Sequence, residues 1–333
     1  MTKLIIIFLF VCSVATATEN VHILLGTPTN PNQQDYIIIR PQYVVGYNPE
    51  KGIPNWVSWN MNADWFGDVE RYSGSFIRDT SLPLGMYRVK HADYTNSGYD
   101  RGHMVRSEER TATVEDNKST FIITNVAPQT PDLNRGVWLD FEYFLEDLCK
   151  IDNRELYVMA GSYCVVNNTL LDEGLVVIPE SYYKIAVMLD KGRGLSDVTT
   201  NTTVYAVLMP NIDGVRSDKW SKYQTTVDNI EFITGYDFLN LVPSEIQDVI
   251  ESGSTSVSSM ALTDFKLYPN PTKSLITIEG FDNVPYCYVF DTLGRLVLTA
   301  NIEFSPYVID LSNLDNGVYL LKCGEVVRVV GKY

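Results

Sequence analysis

The sequence predicts an α+β domain built on a central antiparallel sheet, followed by a small all-β sandwich. Three observations lead there. Residues 35 to 66 alternate apolar and polar side chains around Tyr36-Ile37-Ile38-Ile39 and Trp56-Val57-Ser58-Trp59, with turn residues at Asn48-Pro49 and Gly52, the period-two pattern of antiparallel strands. Ser252-Gly253-Ser254-Thr255-Ser256-Val257-Ser258-Ser259 then breaks the composition to small polar residues, as a flexible linker does. Beyond it, short apolar runs separated by turns recur at the spacing of a small sandwich.

Taken in order, Met1 to Ala17 has one early lysine, an apolar run from Leu4 to Val14 and the small residues Ala15-Thr16-Ala17. That is the pattern of a cleaved secretory signal peptide, and the run is short for a membrane span. No later run is longer, so no transmembrane segment is expected in the mature chain. The domain expected from 18 to 252 opens with the strands at 35 to 66. Trp56, Trp59 and Trp65 could stack on bases, but aromatic residues on strands more often fill a core.

The charge balance excludes one class of function. With 26 basic and 41 acidic residues the formal charge is -15, the wrong sign for holding nucleic acid on a broad basic surface. Arg71, Arg78, Arg88, Lys90, Arg101, Arg106 and Arg110 nevertheless outnumber the acidic side chains between 71 and 110. Any polyanion would therefore be gripped in a focused cleft.

The stretch from 100 to 142 carries the chemistry. It holds Asp100-Arg101-Gly102-His103, a strand-like run Thr120-Phe121-Ile122-Ile123-Thr124-Asn125, and Asn134-Arg135-Gly136-Val137-Trp138 leading to Glu142. An imidazole with an ordinary pKa near 6.5 is the side chain best suited to take a proton from water, and His103 is placed to be that base. A hard ion such as Mg²⁺ keeps most of its waters and needs few protein oxygens, so the carbonyl of Asn134 could suffice. Asn134, Trp138 and Glu142 follow at steps of four, which would set them along one helix face. Eight residues rise roughly 12 Å in a regular helix. Glu142 must then act through water, or the first turn must be irregular, as Gly136 would permit.

These residues resemble the DNA/RNA non-specific endonucleases, which have the ββα-metal (His-Me finger) fold. The resemblance rests on Asp100 to His103, on Thr124-Asn125-Val126-Ala127-Pro128-Gln129, and on Asn134, Trp138 and Glu142. It extends to Asn55-Trp56-Val57 upstream and to Thr234-Gly235-Tyr236-Asp237-Phe238 downstream. It implies His103 as general base, Asn134 as metal ligand, and Arg101, Asn125 and Glu142 as supporting residues. Arg71, with Arg78 close behind it, matches an upstream phosphate-contacting arginine. Substrate contacts are expected from Arg71, Arg101 and Arg106. The implied cofactor is Mg²⁺, with Mn²⁺ as a substitute left open. His91 lacks the Asp-Arg-Gly frame and is expected to be structural.

Past this segment, Leu156 to Gly161, Gly174 to Ile178, Tyr183 to Leu189 and Val204 to Met209 predict further strands of the central sheet, and Ser244 to Glu251 predicts a closing helix. The cysteines beyond the leader are Cys149, Cys164, Cys287 and Cys323. Bridges 149 to 164 and 287 to 323 are each weighed evenly against buried free thiols.

After a linker at 253 to 264, residues 265 to 333 predict strands at 275 to 278, 286 to 290, 296 to 299, 307 to 309, 318 to 322 and 326 to 330. They contain no histidine, and no chemistry is assigned to them. This tail resembles the C-terminal sorting domain of type IX secretion, through Tyr268-Pro269-Asn270-Pro271, Ile309-Asp310-Leu311-Ser312 and Gly317-Val318-Tyr319. That implies export across the periplasm of a Gram-negative bacterium to the cell surface or medium, with the type IX machinery as a partner.

The reading is a secreted, Mg²⁺-dependent hydrolase that cuts phosphodiester bonds of DNA and/or RNA with little sequence preference. The alternative is a surface nucleic-acid-binding protein on the same scaffold without turnover.

Overall fold

The computed structural model describes residues 20–33, 35–164, 170–171, 176–253, 265–280, 286–292, 295–302, 305–323 and 326–333. The leader expected at 1 to 17, Gly174, and all but the first residue of the linker expected at 253 to 264 lie outside the described residues. Up to residue 253 the described strands are β1 (Tyr36–Ile39), β2 (Val44–Asn48), β3 (Ile53–Met61), β4 (Asp100–His103), β5 (Val126–Gln129), β6 (Arg154–Tyr163), β7 (Leu170–Leu171), β8 (Val176–Val177), β9 (Ser181–Asp190) and β10 (Thr203–Pro210). The α-helices are α1 (Val114–Ser119), α2 (Trp138–Lys150), α3 (Val227–Thr234) and α4 (Ser244–Ile250).

Six strands form an antiparallel sheet in the order β1-β2-β3-β6-β9-β10. Because side chains alternate across a strand, the sheet has two apolar faces. Trp59, Val158, Ala160, Tyr182 and Ala186 pack on the face that receives Trp138, Phe141, Leu145 and Leu148 of α2. Trp56, Met159, Tyr183, Ile185 and Val187 pack on the other, against Val227, Ile230 and Ile233 of α3. Both helical sets recur at the three-and-four spacing of one helix face. Trp56 and Trp59 are fully buried, so they serve the core and are not available to bases.

The strand expected at 174 to 178 contributes only β8, which pairs with β7 in a separate two-stranded hairpin and does not extend the main sheet. The run 120 to 125 is not a strand either. It closes α1 and turns through a short 3-10 segment, Ile123–Asn125, with pairing delayed to β5. The side chains explain the difference: Thr120 and Asn125 are buried and spend their polar groups on the local backbone.

The tail holds β11 (Lys266–Tyr268), β12 (Leu275–Glu279), β13 (Tyr286–Asp291), β14 (Leu296–Asn301), β15 (Tyr307–Asp310), β16 (Gly317–Cys323) and β17 (Val326–Lys332). They form two sheets, β11-β12-β15 and β14-β13-β16-β17, enclosing a core that includes Ile276, Ile278, Val289, Ile309 and Leu321. Cys287 and Cys323 face each other across β13 and β16 and are disulfide-bonded. Cys149 and Cys164 are free thiols. Among the described residues no helix is long and apolar enough to cross a membrane.

Candidate active site

Two short strands and one helix build the site. β4 and β5 pair as an antiparallel ribbon, setting Asp100 opposite Gln129 and His103 opposite Val126. A Cβ at Gly102 would lie 2.1 Å from the Gln129 side chain, so glycine is needed for the ribbon to lie against that residue. The α-helix does not begin at Asn134. Residues Leu133–Val137 form a wider π turn in which Gly136 leaves helical geometry (φ -122°, ψ -116°), and α2 starts at Trp138. A side chain at Gly136 would strike the backbone of Arg216, 2.6 Å from a built Cβ. The irregular first turn, one of the two outcomes the eight-residue spacing left open, is therefore present.

Ribbon and helix flank a cleft of about 510 Å³. His103, Arg71, Arg101, Arg106, Asn134 and Glu142 all line it, so most of the residues proposed from sequence converge on one space. Asp100, Arg135, Glu108, Phe76, Leu139 and Tyr143 complete the wall. Four guanidinium groups against three carboxylates leave the wall net positive, beside His103, in a chain of charge -15.

His103 is half-buried between Phe76 and Phe121, at 5.1 Å from each ring. Its Nε2 is buried with no hydrogen-bond partner among the described residues. Burial lowers its pKa to about 3; the Arg71 cation adds to the shift and Glu108 opposes it. The ring is therefore neutral at physiological pH, the form a proton acceptor needs. A bound phosphate would pull the pKa upward by attraction for the imidazolium.

Asn134 donates from Nδ2 to Asp100 Oδ2 at 2.9 Å, and Asp100 also takes two hydrogen bonds from Arg135. Fixing the amide nitrogen in this way fixes the carbonyl oxygen, which accepts nothing among the described residues. A single oriented amide oxygen beside a solvent-filled cleft fits a hard divalent cation that keeps most of its waters. The donor set thus suits Mg²⁺ or Mn²⁺.

The arginines are each held differently. Arg71 hydrogen-bonds Ser107 and pairs with Glu108 at 3.3 Å, with its guanidinium 4.9 Å from the centre of the Phe121 ring. Arg101 donates to the His91 carbonyl at 2.7 Å and lies over Tyr94. Arg106 is buried and pairs with Glu146 and Glu108. Arg78 is exposed and does not line the cleft. His91 accepts a hydrogen bond from the Phe76 backbone and stacks on that ring, a structural role.

Asn125 stands apart. It is fully buried behind the cleft, donating to the Val105 and Thr120 carbonyls and accepting from the Val105 N–H. Its amide clamps the chain just beyond His103. Glu142 is almost completely buried at the cleft floor and pairs with Lys184 at 2.9 Å. Beneath it lies Glu109, fully buried with both carboxylate oxygens unpartnered among the described residues and its pKa raised by desolvation to about 7. Sequence reasoning passed over Lys184, whose signal was a single charge inside the apolar run 182 to 189, and gave Glu109 no role, since it stands in the largely charged run 106 to 110.

Comparison with known proteins decides the family. The family model described as DNA/RNA non-specific endonuclease matches residues 23–245. This chain belongs to that family. Its relatives include a nuclease of Nostoc sp., 44% identical over 239 residues, covering 70% of this chain and 85% of the relative. Human mitochondrial endonuclease G is 25% identical over 211 residues, covering 60% of this chain and 68% of the relative. A solved chain from the complex of EndoG with EndoGI superposes with a TM-score of 0.60 at 24% identity, covering 69% of this chain and 95% of that one, and shows the same fold. A second family model, the secretion system C-terminal sorting domain, matches residues 266–331 of this chain.

Proposed function

We propose that the protein is an exported, divalent-metal-dependent endonuclease that hydrolyses DNA and/or RNA with little sequence preference. One observation carries the reading. His103, whose Nε2 has no hydrogen-bond partner among the described residues, and Asn134, whose amide oxygen accepts from none of them, line the same basic cleft. Neutral His103 accepts a proton from the attacking water. Arg71, Arg101 and Arg106 offset phosphate charge, and their backbone-directed grip explains low base selectivity. Asn134, oriented by Asp100, holds Mg²⁺ or Mn²⁺, which when bound would stabilise the pentacoordinate phosphate and its leaving oxygen. Glu142 acts on the waters of that site, and Asn125 keeps the segment after His103 in place. The tail supports export by the type IX route to the cell surface or medium, following a leader at 1 to 17.

Plasmid digestion tests this directly. Wild-type protein with Mg²⁺ should nick and degrade supercoiled DNA, EDTA should stop it, and His103→Ala should lower the rate by roughly 10²–10⁴-fold, the usual contribution of a general base. Binding of nucleic acid without metal-dependent cutting would instead establish a binding protein on this scaffold.

A further inference from the structure

Lys184 is the least expected residue in the molecule. It lies at the centre of β9, fully buried, on the sheet face it shares with Tyr182 and Ala186. Alternation would give that position to an apolar residue facing α2. Its ammonium sits 4.2 Å from the centre of the Trp138 ring and 5.7 Å from that of Trp59, an arrangement in which the ring faces favour a cation. It donates to Glu142 Oε1 at 2.9 Å. Trp138 and Glu142 are one helical turn apart on α2, so the helix presents an aromatic face and a carboxylate to the same ammonium.

Burying a lysine is costly, and a buried ion pair is weak evidence for stability, because an apolar pair of similar volume often serves as well. The position of the pair suggests another use. Glu142 lines the cleft while one of its oxygens is taken by Lys184. The second oxygen has no protein partner among the described residues.

We propose that Lys184 is a positioning residue of the active site: held on the face of Trp138, it fixes the rotation of Glu142 so that the free carboxylate oxygen is presented to the water shell of the metal in the cleft. The inference rests on the nuclease reading above and deepens it. Glu109, which interacts electrostatically with Lys184 and whose carboxylate oxygens have no hydrogen-bond partner among the described residues, is the competing acceptor. Lys184 must therefore be pinned by the tryptophan and by Glu142 together if it is not to turn away.

The test compares full-length wild type with K184M, K184R, E142Q and the double variant K184M/E142Q. The readouts are Mg²⁺ affinity by calorimetry, kcat and KM on plasmid DNA, and Tm. Outer ligand-orienting contacts typically change metal affinity or activity by 10–100-fold. K184M should thus weaken Mg²⁺ binding and lower kcat by about that factor, with KM for DNA nearly unchanged. K184R should recover part of both. The double variant, which leaves neither buried charge behind, should be no worse than E142Q. It keeps the test decisive should K184M fail to fold.

Two results would overturn the proposal. One is a folded K184M with wild-type Mg²⁺ affinity and kcat and only a lowered Tm. The other is a double variant whose losses are the sum of the single ones. If the wild type binds Mg²⁺ yet cleaves nothing, the nuclease reading falls, while the Mg²⁺ affinities of the variants still decide the role of Lys184.

Discussion

Replacing Asp100 with alanine tests whether the metal site depends on an oriented amide. Asp100 is mostly buried, with 16% of its side chain exposed, and it accepts from Asn134 Nδ2 at 2.9 Å. A hydrogen bond to a charged group contributes about 1.5–3 kcal/mol. Its ion pair with Arg135 adds little, because Arg135 is 58% exposed and screened by solvent. Without Asp100 no hydrogen bond holds the Asn134 amide with its oxygen toward the ion, and ion binding must supply that orientation itself. At 1.36 kcal/mol per tenfold change, the lost orientation corresponds to roughly 10–150-fold weaker Mg²⁺ binding. Mg²⁺ titration of plasmid nicking, with calorimetry in parallel, measures it. A half-saturating Mg²⁺ concentration within twofold of wild type, in a folded variant, would refute the argument that Asp100 sets the ligand.

Other consequences follow from particular contacts. Asn125→Ala removes a side chain that makes three buried hydrogen bonds and should destabilise the nuclease region by about 3 kcal/mol or more, read as a lowered urea midpoint. Glu251 is nearly buried with Oε1 unpartnered among the described residues, and burial followed by repulsion from Glu231 and Asp228 raises its pKa to about 8. Since the folded state binds this proton more tightly than the unfolded chain, Glu251 costs stability increasingly as pH rises from the ordinary carboxylate range to about 8. Glu251→Gln should therefore raise Tm at pH 8.5 and have no such effect at pH 4, as thermal melts across that range would show. Reduction of Cys287–Cys323, which closes a loop of sequence separation 36, should cost the tail about 3–4 kcal/mol on the chain-entropy account. The nuclease region should change less, since Cys149 and Cys164 are already free thiols and the loss would reach it through Tyr288 and Phe290, which pack on its core.

The central strands and α2 were legible because burial imposes a period. β1 to β3 alternate about two faces, and the helix showed as Asn134, Trp138 and Glu142 at steps of four, although α2 itself begins at Trp138. The tail strands were legible for the same reason, apart from β11, whose three residues are too few to show a pattern. Where the reading slipped, local polar chemistry outweighed side-chain type. Thr120 and Asn125 divert their neighbourhood into turns despite the apolar residues between them. The hairpin β7-β8 is too short to reveal from its composition which sheet it joins.

By itself the sequence determined which chemical groups this protein owns and the order in which they come: an Asp-Arg-Gly-His run, an asparagine ahead of an amphipathic helix, and a tail of short strands. These are properties of neighbouring residues, and periodicity and motif spacing are local. Only the tertiary structure decided which groups share a cleft. Asp100 and Asn134 lie 34 positions apart, and Glu142 and Lys184 lie 42 apart. Their pairing depends on how the ribbon, the helix and the central sheet stack, since hydrophobic burial drives that stacking without regard to separation along the chain.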